Sequence, residues 1–460
     1  MNIATIEPSI FRAYDIRGIV GEGLDAASVK LIGQAIASEA LDLGEQTLLL
    51  GRDARLSSPR LGEALRNGIL SSGCNVIDLG VVPTPLLYFA TQTMPVHSGV
   101  MLTGSHNPAH YNGIKIVLQK STLAGRRIDD LRKRIDENRL HCGNGTQSQH
   151  NILPDYLACI SQQINLKRPY RVVVDCGNGV AGLVAPVLLE KLGCTTIPLY
   201  CEPDGNFPHH HPDPTREENL QDLIEKVQQE EADLGIALDG DGDRVGLVTA
   251  KGAIIDADKL LMAFSMDILP DNEGAGVVYD VKSSHHLGRI IKEMGGVGIM
   301  CKSGHSWVKQ KLLETGALLG GEYSAHIFFK HRWFGFDDGM YAACRFLELL
   351  DKYETNAEAL LDRLPASVST PELFIPVAES DKFALMEVLV EKLQLRGASF
   401  DYLDGIRANF EMGWALIRAS NTTPTLVLRF EADTQADLEA IQTSFRSALL
   451  KLLPDLALPF

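Results

Sequence analysis

A serine in a tight polar turn is the first candidate for chemistry in this sequence. The turn, residues 103–108, reads Thr-Gly-Ser-His-Asn-Pro and follows the apolar run 100–102, which predicts a strand. A glycine before the serine frees the backbone, and the Asn-Pro pair after it forces a turn. The Ser105 hydroxyl, with His106 beside it and Lys115 a few residues on, is placed to carry a transferable group. An ordinary polar turn is the alternative that these residues leave open.

Three aspartates that alternate with glycines form the second candidate. Asp239, Asp241 and Asp243 would repel one another unless a cation lies among them. A small set of hard oxygen ligands with room for water and a phosphate suits Mg²⁺. An EF-hand loop would need glycine at Arg244 and glutamate at Ala250, so that class is excluded. A solvated acidic turn is the alternative.

A third loop suggests sugar recognition. Glu322 and Ser324 lie two residues apart, so at an extended strand end they would face the same side. A carboxylate accepts two neighbouring hydroxyl groups, as in sugar binding. Lys282 and His305 could add positive charge nearby. A surface Glu-Ser pair with solvated cations is the alternative.

A fourth loop combines a guanidinium group with hydroxyls and an amide. These groups belong to Arg418, Ser420, Asn421, Thr422 and Thr423. Their composition can surround a phosphate with charge-assisted hydrogen bonds. A Ser/Thr-rich turn is the alternative.

The elements that position these loops repeat along the chain. Segments that begin at residues 47, 170 and 276 each read as strand, helix, glycine and strand, which is typical of a right-handed βαβ unit. A further apolar strand in each unit ends at one of the first three loops. Ligand sites in open α/β sheets lie at such carboxyl ends, so three tandem α/β/α domains of related topology are expected.

The last part of the chain reads as strand, polar loop, strand and amphipathic helix. It predicts a small α+β domain, which would complete a central cleft together with the other three. The predicted domains are residues 1–151, 152–253, 254–365 and 366–460.

Composition limits the class of partner. The chain has 460 residues, 45% apolar and 22% charged, as expected of a globular protein with several domains. A net charge of −16 argues against nucleic acid and anionic membranes as partners. Eight scattered cysteines without metal spacing, and an N-terminus unlike a signal peptide, predict a cytoplasmic location with reduced thiols.

One motif offers a competing function. Residues 177–182 match GxGxxG. Glu202 follows about 20 residues later in the sequence, where a dinucleotide-binding domain has an acidic residue. The corresponding turns of the other two units lack the motif, and glycines there also permit close packing. An NAD-dependent oxidoreductase is therefore the less favoured interpretation.

The four loops together resemble the motifs of the α-D-phosphohexomutases. The matching segments, in order, are residues 103–108, 239–244, 321–326 and 418–424, and residues 14–18 resemble the family's N-terminal signature. The resemblance covers essentially the whole chain and is greatest to the bacterial phosphomannomutase/phosphoglucomutase branch. Ala325 departs from the pattern, because many members have glycine there.

The resemblance implies phosphoryl transfer between O6 and O1 of mannose and glucose phosphates. It implies a phosphorylated Ser105, a hexose 1,6-bisphosphate intermediate or activator, and one Mg²⁺ held by Ser105, Asp239, Asp241 and Asp243. The implied catalytic residues are Ser105, Arg17, His106, Lys115, Arg244 and His305. The implied substrate-binding residues are Tyr14, Lys282, His305, Glu322, Ser324, His326, Arg418, Ser420, Asn421, Thr422 and Thr423.

A monomer acting on hexose phosphates is expected. A phosphoglucosamine mutase and a metal-dependent serine phosphatase are the alternative activities, since both would use the same serine and aspartates.

Overall fold

The computed structural model describes residues 6–378, 380–420, 423–454 and 456–460. Within them, each of four successive parts of the chain forms its own sheet. Short 3-10 helices cover Pro8–Ile10, Val180–Leu183, Glu217–Leu220 and Leu269–Asp271. Among these described residues, no helix combines the length and apolar character needed to cross a bilayer.

The first domain contains an eight-stranded sheet and four helices. The strands are Ile16–Val20 (β1), Gly23–Leu24 (β2), Thr47–Arg52 (β3), Asn75–Val81 (β4), Gly99–Leu102 (β5), Tyr111–Leu118 (β6), Ser121–Thr122 (β7) and Gln147–Gln149 (β8). The helices are Ala26–Asp42 (α1), Ser58–Ser71 (α2), Thr84–Thr93 (α3) and Arg126–Asp136 (α4).

The second and third domains have smaller sheets. The second contains Leu153–Gln163 (α5), Arg171–Asp175 (β9), Ala185–Lys191 (α6), Thr195–Leu199 (β10), Gln221–Gln229 (α7), Leu234–Leu238 (β11), Val245–Thr249 (β12) and Ile254–Ile255 (β13). The third contains Ala257–Ile268 (α8), Gly276–Asp280 (β14), His285–Glu293 (α9), Val297–Cys301 (β15), His305–Thr315 (α10), Leu319–Gly321 (β16), Ile327–Phe329 (β17), Gly339–Lys352 (α11) and Ala357–Leu361 (α12).

The fourth domain is a six-stranded antiparallel sheet with two helices. Its elements are Val368–Ser369 (β18), Leu373–Pro376 (β19), Lys382–Lys392 (α13), Ser399–Asp401 (β20), Ile406–Phe410 (β21), Gly413–Ala419 (β22), Thr425–Ala432 (β23) and Gln435–Leu452 (α14). The predicted α+β character of this domain is confirmed.

The first three sheets share one strand order. The common sequence of neighbours is β4-β3-β5-β6 in the first sheet, β10-β9-β11-β12 in the second and β15-β14-β16-β17 in the third. In each set the first three strands are parallel and the fourth is antiparallel. The central strands β5, β11 and β16 are entirely buried, as expected when helices cover both faces of a sheet. The predicted related topology of the three domains is confirmed.

One hydrophobic core joins the first three domains. The Trp333 ring from the third domain stacks on Phe89 from the first, with ring centroids 5.7 Å apart, and packs edge-on against Tyr156 from the second. The fourth domain has a separate core, which includes Phe430 and Phe445. The first three domains therefore share one large core, whereas the fourth meets the third through a small apolar cluster of Val281, Trp414 and Leu416.

Helices α1 and α2 cross closely enough to require glycine at one contact. A Cβ atom on Gly68 would lie 2.0 Å from the Lys30 carbonyl oxygen, whereas a Cβ atom on Gly62 would meet only side chains, the nearest atom being Cδ of Arg52 at 3.3 Å. Backbone cannot yield as a flexible side chain can.

We predict that Gly68→Ala lowers the thermal stability of the first domain, by about 1–3 kcal/mol from overpacking. The matched variant Gly62→Ala lies in the same helix and should be near neutral or stabilising, since alanine favours helices. Scanning calorimetry of both variants measures the difference. Equal unfolding temperatures for the two variants would contradict the close crossing.

Candidate active site at the carboxyl ends of three strands

Three of the predicted loops leave equivalent strands of the three related domains. Ser105 follows β5, Asp239 follows β11 directly, and Glu322 follows β16 directly. Parallel strands end at one edge of a sheet, and the three domains turn these edges toward one another. The side chains form a connected set of contacts from the first domain to the fourth.

Ser105 lies where the first and second domains touch. Its Oγ donates a hydrogen bond to Asp239 Oδ2 at 2.9 Å and lies 3.2 Å from His106 Nδ1. Its backbone adopts a left-handed conformation, with φ of 49°, which is uncommon for a residue other than glycine. Gly240 permits the approach, because a Cβ atom there would lie 2.4 Å from the Ser105 carbonyl oxygen.

Arg55 holds the serine loop in this conformation. Its guanidinium group donates hydrogen bonds to four carbonyl oxygens of the loop, on Ser105, Asn107, Pro108 and Tyr111, at 2.6–3.1 Å. Asp53 orients the guanidinium group through Nε at 3.1 Å and accepts a hydrogen bond from the Gly104 N–H group. Arg55 is 1% exposed. A planar donor fork of this kind can bind several acceptors in fixed directions.

The three aspartates converge as predicted. Ligand oxygens of Asp239, Asp241 and Asp243 lie within 4.8 Å of one another, and all three residues are 0% exposed. The Lys115 ammonium group contacts Asp241 Oδ2 at 2.7 Å and also forms an ion pair with Asp243. Thr84, at the start of α3, donates a hydrogen bond to Asp241 Oδ2 at 2.5 Å.

Electrostatic repulsion in this cluster gives the carboxyl groups different pKa values. Burial and the charges of Asp241 and Asp243 raise the pKa of Asp239 well above its usual value. Burial also disfavours ionisation of Asp243, but Lys115 and His326 outweigh it and lower the pKa of that carboxyl group. Burial likewise opposes the charge on Lys115, yet the two aspartates raise the pKa of the ammonium group. Lys115 therefore remains protonated at neutral pH.

The cluster fits a metal ion. Asp241 Oδ1 is buried and lacks a hydrogen-bond partner among the residues that the structure describes, and Asp243 Oδ1 has only the His326 ring nearby, at 3.3 Å. Buried acceptors without partners are costly, so a ligand for them is expected. The donor set consists of oxygen atoms alone, which is what Mg²⁺ prefers.

His326 connects the aspartates to the third domain. Its Nε2 atom lies 3.3 Å from Asp243 Oδ1, and its Nδ1 atom lies 3.1 Å from Glu322 Oε2. Burial and the neighbouring Arg244 oppose its protonation, but the two carboxylates raise the pKa of His326 to about 9. The side chain thus acts as a cation between two acids. Arg244 lies beside it, with Nε 3.3 Å from the ring nitrogen Nε2.

The backbone of the third loop differs from the extended form predicted for it. Residues 322–325 form a turn closed by a hydrogen bond from the Ala325 N–H group to the Glu322 carbonyl oxygen at 3.0 Å. Ala325 has a φ of 71°, which favours glycine. This explains why glycine is common at this position in the family that the sequence resembles. The Ser324 hydroxyl lies 3.3 Å from His326 Nδ1, so it faces the same histidine as Glu322.

Tyr14, Lys282 and His305 line the same region. Tyr14 donates a hydrogen bond to the Ser303 carbonyl oxygen at 2.7 Å, which joins the first domain to the third. His305 begins α10, and burial together with Lys309 and His326 lowers the pKa of His305 well below its usual value. Lys282 is buried and lies 3.2 Å from Glu372 of the fourth domain.

The fourth domain reaches this region through Arg418. Its Nε atom donates a hydrogen bond to Asp404 at 2.9 Å, and Asp404 also accepts one from the Ser303 N–H group at 3.1 Å. In the following loop the Ser420 hydroxyl accepts a hydrogen bond from Thr423 Oγ1 at 2.8 Å. The predicted phosphate ligands Asn421 and Thr422 lie outside the described residues.

Arg17 and His106 complete the predicted set. Arg17 donates hydrogen bonds to Asp15 at 2.5 Å and to the Asn107 side chain at 3.2 Å, so it lies against the serine loop. Burial, together with Arg244 and Arg17, lowers the pKa of His106 well below its usual value. A neutral imidazole therefore lies beside the serine hydroxyl.

Sequence reasoning missed the residues that support the site. Asp53 and Arg55 follow β3 at the same sheet edge as Ser105. This position after a predicted strand could have identified them from the sequence. The sequence around Thr84 does not indicate its role, because its partner Asp241 is 157 residues away. The glycines of the GxGxxG motif have a packing role, since a Cβ atom on Gly179 would lie 2.8 Å from Gly240 Cα.

Family profiles match all four domains of the chain. They are described as phosphoglucomutase/phosphomannomutase alpha/beta/alpha domains I, II and III and the C-terminal domain, and they match residues 8–140, 154–252, 256–368 and 372–448. The fold and the four loops therefore define a phosphohexomutase scaffold, and the chain belongs to the phosphoglucomutase/phosphomannomutase family.

Individual relatives cover the whole length. The chain is 53% identical over 456 residues to a phosphomannomutase/phosphoglucomutase from Pseudomonas aeruginosa, which spans 99% of this chain and 98% of that protein. It is 48% identical to a phosphoglucomutase from Neisseria gonorrhoeae over 97% of this chain and 98% of that protein. A crystal structure of a family protein from Burkholderia thailandensis matches with a TM-score of 0.95 and 46% identity, over 99% and 100% of the chains.

We predict that Arg55→Lys loosens the serine loop without unfolding the domain. Lysine cannot reproduce the planar fork, and loss of two charge-assisted hydrogen bonds at about 1.5 kcal/mol each would speed local opening by roughly a hundredfold. Hydrogen–deuterium exchange of peptides that cover residues 104–111 measures this. The control Arg66→Lys changes a half-exposed arginine on α2. Unchanged exchange in Arg55→Lys would show that the loop keeps its conformation without the guanidinium group.

Proposed function

We propose that this protein interconverts the 6-phosphates and 1-phosphates of mannose and glucose, with Ser105 as the phosphoryl carrier. The contact between Ser105 Oγ and Asp239 at 2.9 Å supports this most directly. It brings a nucleophilic hydroxyl to a cluster of acidic ligands, and the cluster is linked in turn to Glu322 and Arg418. A carrier, a charge-neutralising site, a hydroxyl-binding carboxylate and a phosphate-binding guanidinium group are what such a reaction requires.

In the proposed reaction the phosphoryl group moves twice. The bond between phosphorus and Ser105 Oγ breaks as a bond forms to the free hydroxyl oxygen of the hexose phosphate, which yields a hexose 1,6-bisphosphate. After the bisphosphate turns around, its other phosphoryl group returns to Ser105 Oγ. Each sugar oxygen that gains a phosphoryl group loses a proton, and the oxygen that gives one up regains a proton.

The site contains two kinds of group for these proton movements. Burial and neighbouring cations depress the pKa values of His106 and His305, so both are neutral imidazoles, each with an unprotonated ring nitrogen that can accept a hydrogen bond. Lys115 is held protonated by its two carboxylates, and it supplies positive charge. Arg17 and Arg244 add fixed charge on either side of the serine loop. Positioned charge dominates catalysis of phosphoryl transfer.

Asp239, Asp241 and Asp243, with an oxygen of phosphorylated Ser105, would hold the Mg²⁺ that the family resemblance implies. When bound, the ion would act as a Lewis acid that offsets the charge of the phosphoryl group. The buried Asp241 Oδ1, which has no hydrogen-bond partner among the described residues, supports this assignment.

Substrate recognition in this proposal falls to the third and fourth domains. Glu322, Ser324 and His326 would bind the 3- and 4-hydroxyls, which present alike in both orientations of the sugar. Tyr14, Lys282, Arg418, Ser420, Asn421, Thr422 and Thr423 would hold the phosphate that is remote from Ser105. The 2-position, at which glucose and mannose differ, would then be weakly discriminated. The relative named for both sugars supports a dual specificity, whereas the relative named for glucose alone does not bear on mannose.

The central test replaces the carrier. We predict that Ser105→Ala lowers interconversion of glucose 1-phosphate and mannose 1-phosphate by roughly a thousandfold or more, as loss of a catalytic nucleophile does. ³¹P NMR follows the signals of the 1- and 6-phosphates, and intact mass spectrometry detects a phosphate on the wild-type protein that the variant lacks. The control Ser9→Ala changes an exposed serine of the same domain and should retain full activity.

The same spectra distinguish the alternatives. Wild-type turnover in the Ser105→Ala variant would overturn the proposal. Release of inorganic phosphate by the wild-type protein would favour the phosphatase. Preferential turnover of glucosamine 1-phosphate in a parallel sample would favour the phosphoglucosamine mutase.

A second prediction concerns the metal. Asp241→Asn removes charge and a ligand from the cluster, so it should weaken Mg²⁺ binding at least about tenfold and lower the rate. Isothermal titration calorimetry on chelator-treated protein measures the binding. Asp222→Asn, which changes an exposed aspartate beside Tyr200, is the control. Equal Mg²⁺ affinity in wild type and Asp241→Asn would exclude the cluster as the metal site.

A further inference from the structure

A second cluster of metal-ligating side chains lies at the junction of the third and fourth domains. His285 and His286 are the first two residues of α9, and Asp433 directly follows β23. None of the three belongs to the contacts described above for the active site. They meet across a sequence separation of almost 150 residues.

Their geometry is close to that of a metal centre. His285 Nε2 lies 2.9 Å from Asp433 Oδ1, and His286 Nε2 lies 3.1 Å from the same oxygen. The three ligand atoms all lie within 4.8 Å of one another. Ligands of a tetrahedral Zn²⁺ ion at about 2.0–2.1 Å are separated by roughly 3.3 Å. The two nitrogen–oxygen separations are therefore within a few tenths of an ångström of those around such an ion.

His286 lacks the partners that a buried imidazole requires. The residue is 3% exposed, and neither ring nitrogen makes a well-oriented hydrogen bond to a described residue, although Nε2 lies 3.1 Å from Asp433 Oδ1. A neutral imidazole has a free lone pair, which is the form that binds metals. An ion beside Nε2 would relieve the cost of leaving that nitrogen unpaired.

A carboxylate lies behind the other histidine. His285 Nδ1 faces Glu431 Oε2 at 3.9 Å. Glu431 is itself held by hydrogen bonds from Ser284 Oγ at 2.5 Å and Trp414 Nε1 at 2.7 Å. Metal-ligating histidines commonly direct their second nitrogen at a fixed carboxylate, which sets the tautomer and orients the ring. Both the ligands and the outer partner of a centre are therefore present.

We propose that His285, His286 and Asp433 form a second divalent-metal site, which takes Zn²⁺ or a similar transition metal. Two imidazole nitrogens and one carboxylate oxygen suit such an ion, whereas Mg²⁺ prefers the oxygen-only cluster of the active site. A water molecule completes the coordination on the solvent side, where part of Asp433 is exposed. The bound ion ties the start of α9 in the third domain to the end of β23 in the fourth.

The test is carried out on the full chain with Zn²⁺ as the probe. Crystals of chelator-treated protein are soaked in ZnCl₂ with excess MgCl₂, and anomalous difference maps are calculated above and below the zinc edge. We expect a peak within bonding distance of His285 Nε2, His286 Nε2 and Asp433 Oδ1. Equilibrium dialysis under the same conditions counts the zinc bound in solution.

Variants then test the ligands. Asp433→Asn and His286→Gln should each weaken this zinc site at least about tenfold, without change in mutase activity measured without zinc. The matched control is His141→Gln, which removes an exposed imidazole that lies 2.7 Å from Asp42. Co²⁺ absorption in the visible range, which reports nitrogen ligation, should be lost in both ligand variants and kept in the control.

Two results would overturn the proposal. The first is a zinc-soaked crystal with no anomalous peak at these residues. The second is Asp433→Asn protein that folds, shown by normal activity, and binds as much zinc as wild type. Zinc found only at Asp239, Asp241 and Asp243 counts as the first result, so the active-site metal cannot be mistaken for this one.

Discussion

The burial of three carboxylates in one small space governs the architecture of this protein. Asp239, Asp241 and Asp243 are inaccessible to water, and like charges at such separations cost several kcal/mol unless cations offset them. The offsetting charges come from three separate domains, as Lys115, Arg244 and His326. The electrostatics of the cluster are therefore satisfied only when the first three domains are assembled, and a shared hydrophobic core holds them in that arrangement.

The fourth domain is attached differently. It has its own core, and its described contacts with the third domain include buried polar ones, such as Arg407 donating to the carbonyl oxygens of Val281 and Ser283 at 2.6 and 2.9 Å. Polar interfaces between domains permit relative movement more readily than apolar ones. In the reaction proposed above the bisphosphate must turn around, and withdrawal and return of the domain that carries Arg418 would allow this.

Local sequence patterns were enough to predict the repeated units and the loops at their strand ends, since glycines and apolar runs encode strands and turns directly. They were not enough to predict how Arg55 binds the serine loop, because its partners in that loop lie 50–56 residues away. The backbone at Glu322 and Ser324 was misjudged for another reason: a spacing of two residues suits an extended strand and a tight turn equally well. Contacts between domains leave no periodic pattern in the sequence, so the residues that make them cannot be predicted from local spacing.

The division of the site among domains affects the biosynthesis of the protein. A nascent chain that has emerged from the ribosome as far as Leu238 contains the serine but none of the three aspartates beyond it. In the proposed reaction such a chain would have the carrier hydroxyl without the groups that activate it, so it would neither consume sugar phosphates nor retain a phosphoryl group. Chemical competence would arise late in translation, after the third domain has been synthesised and has packed against the first two.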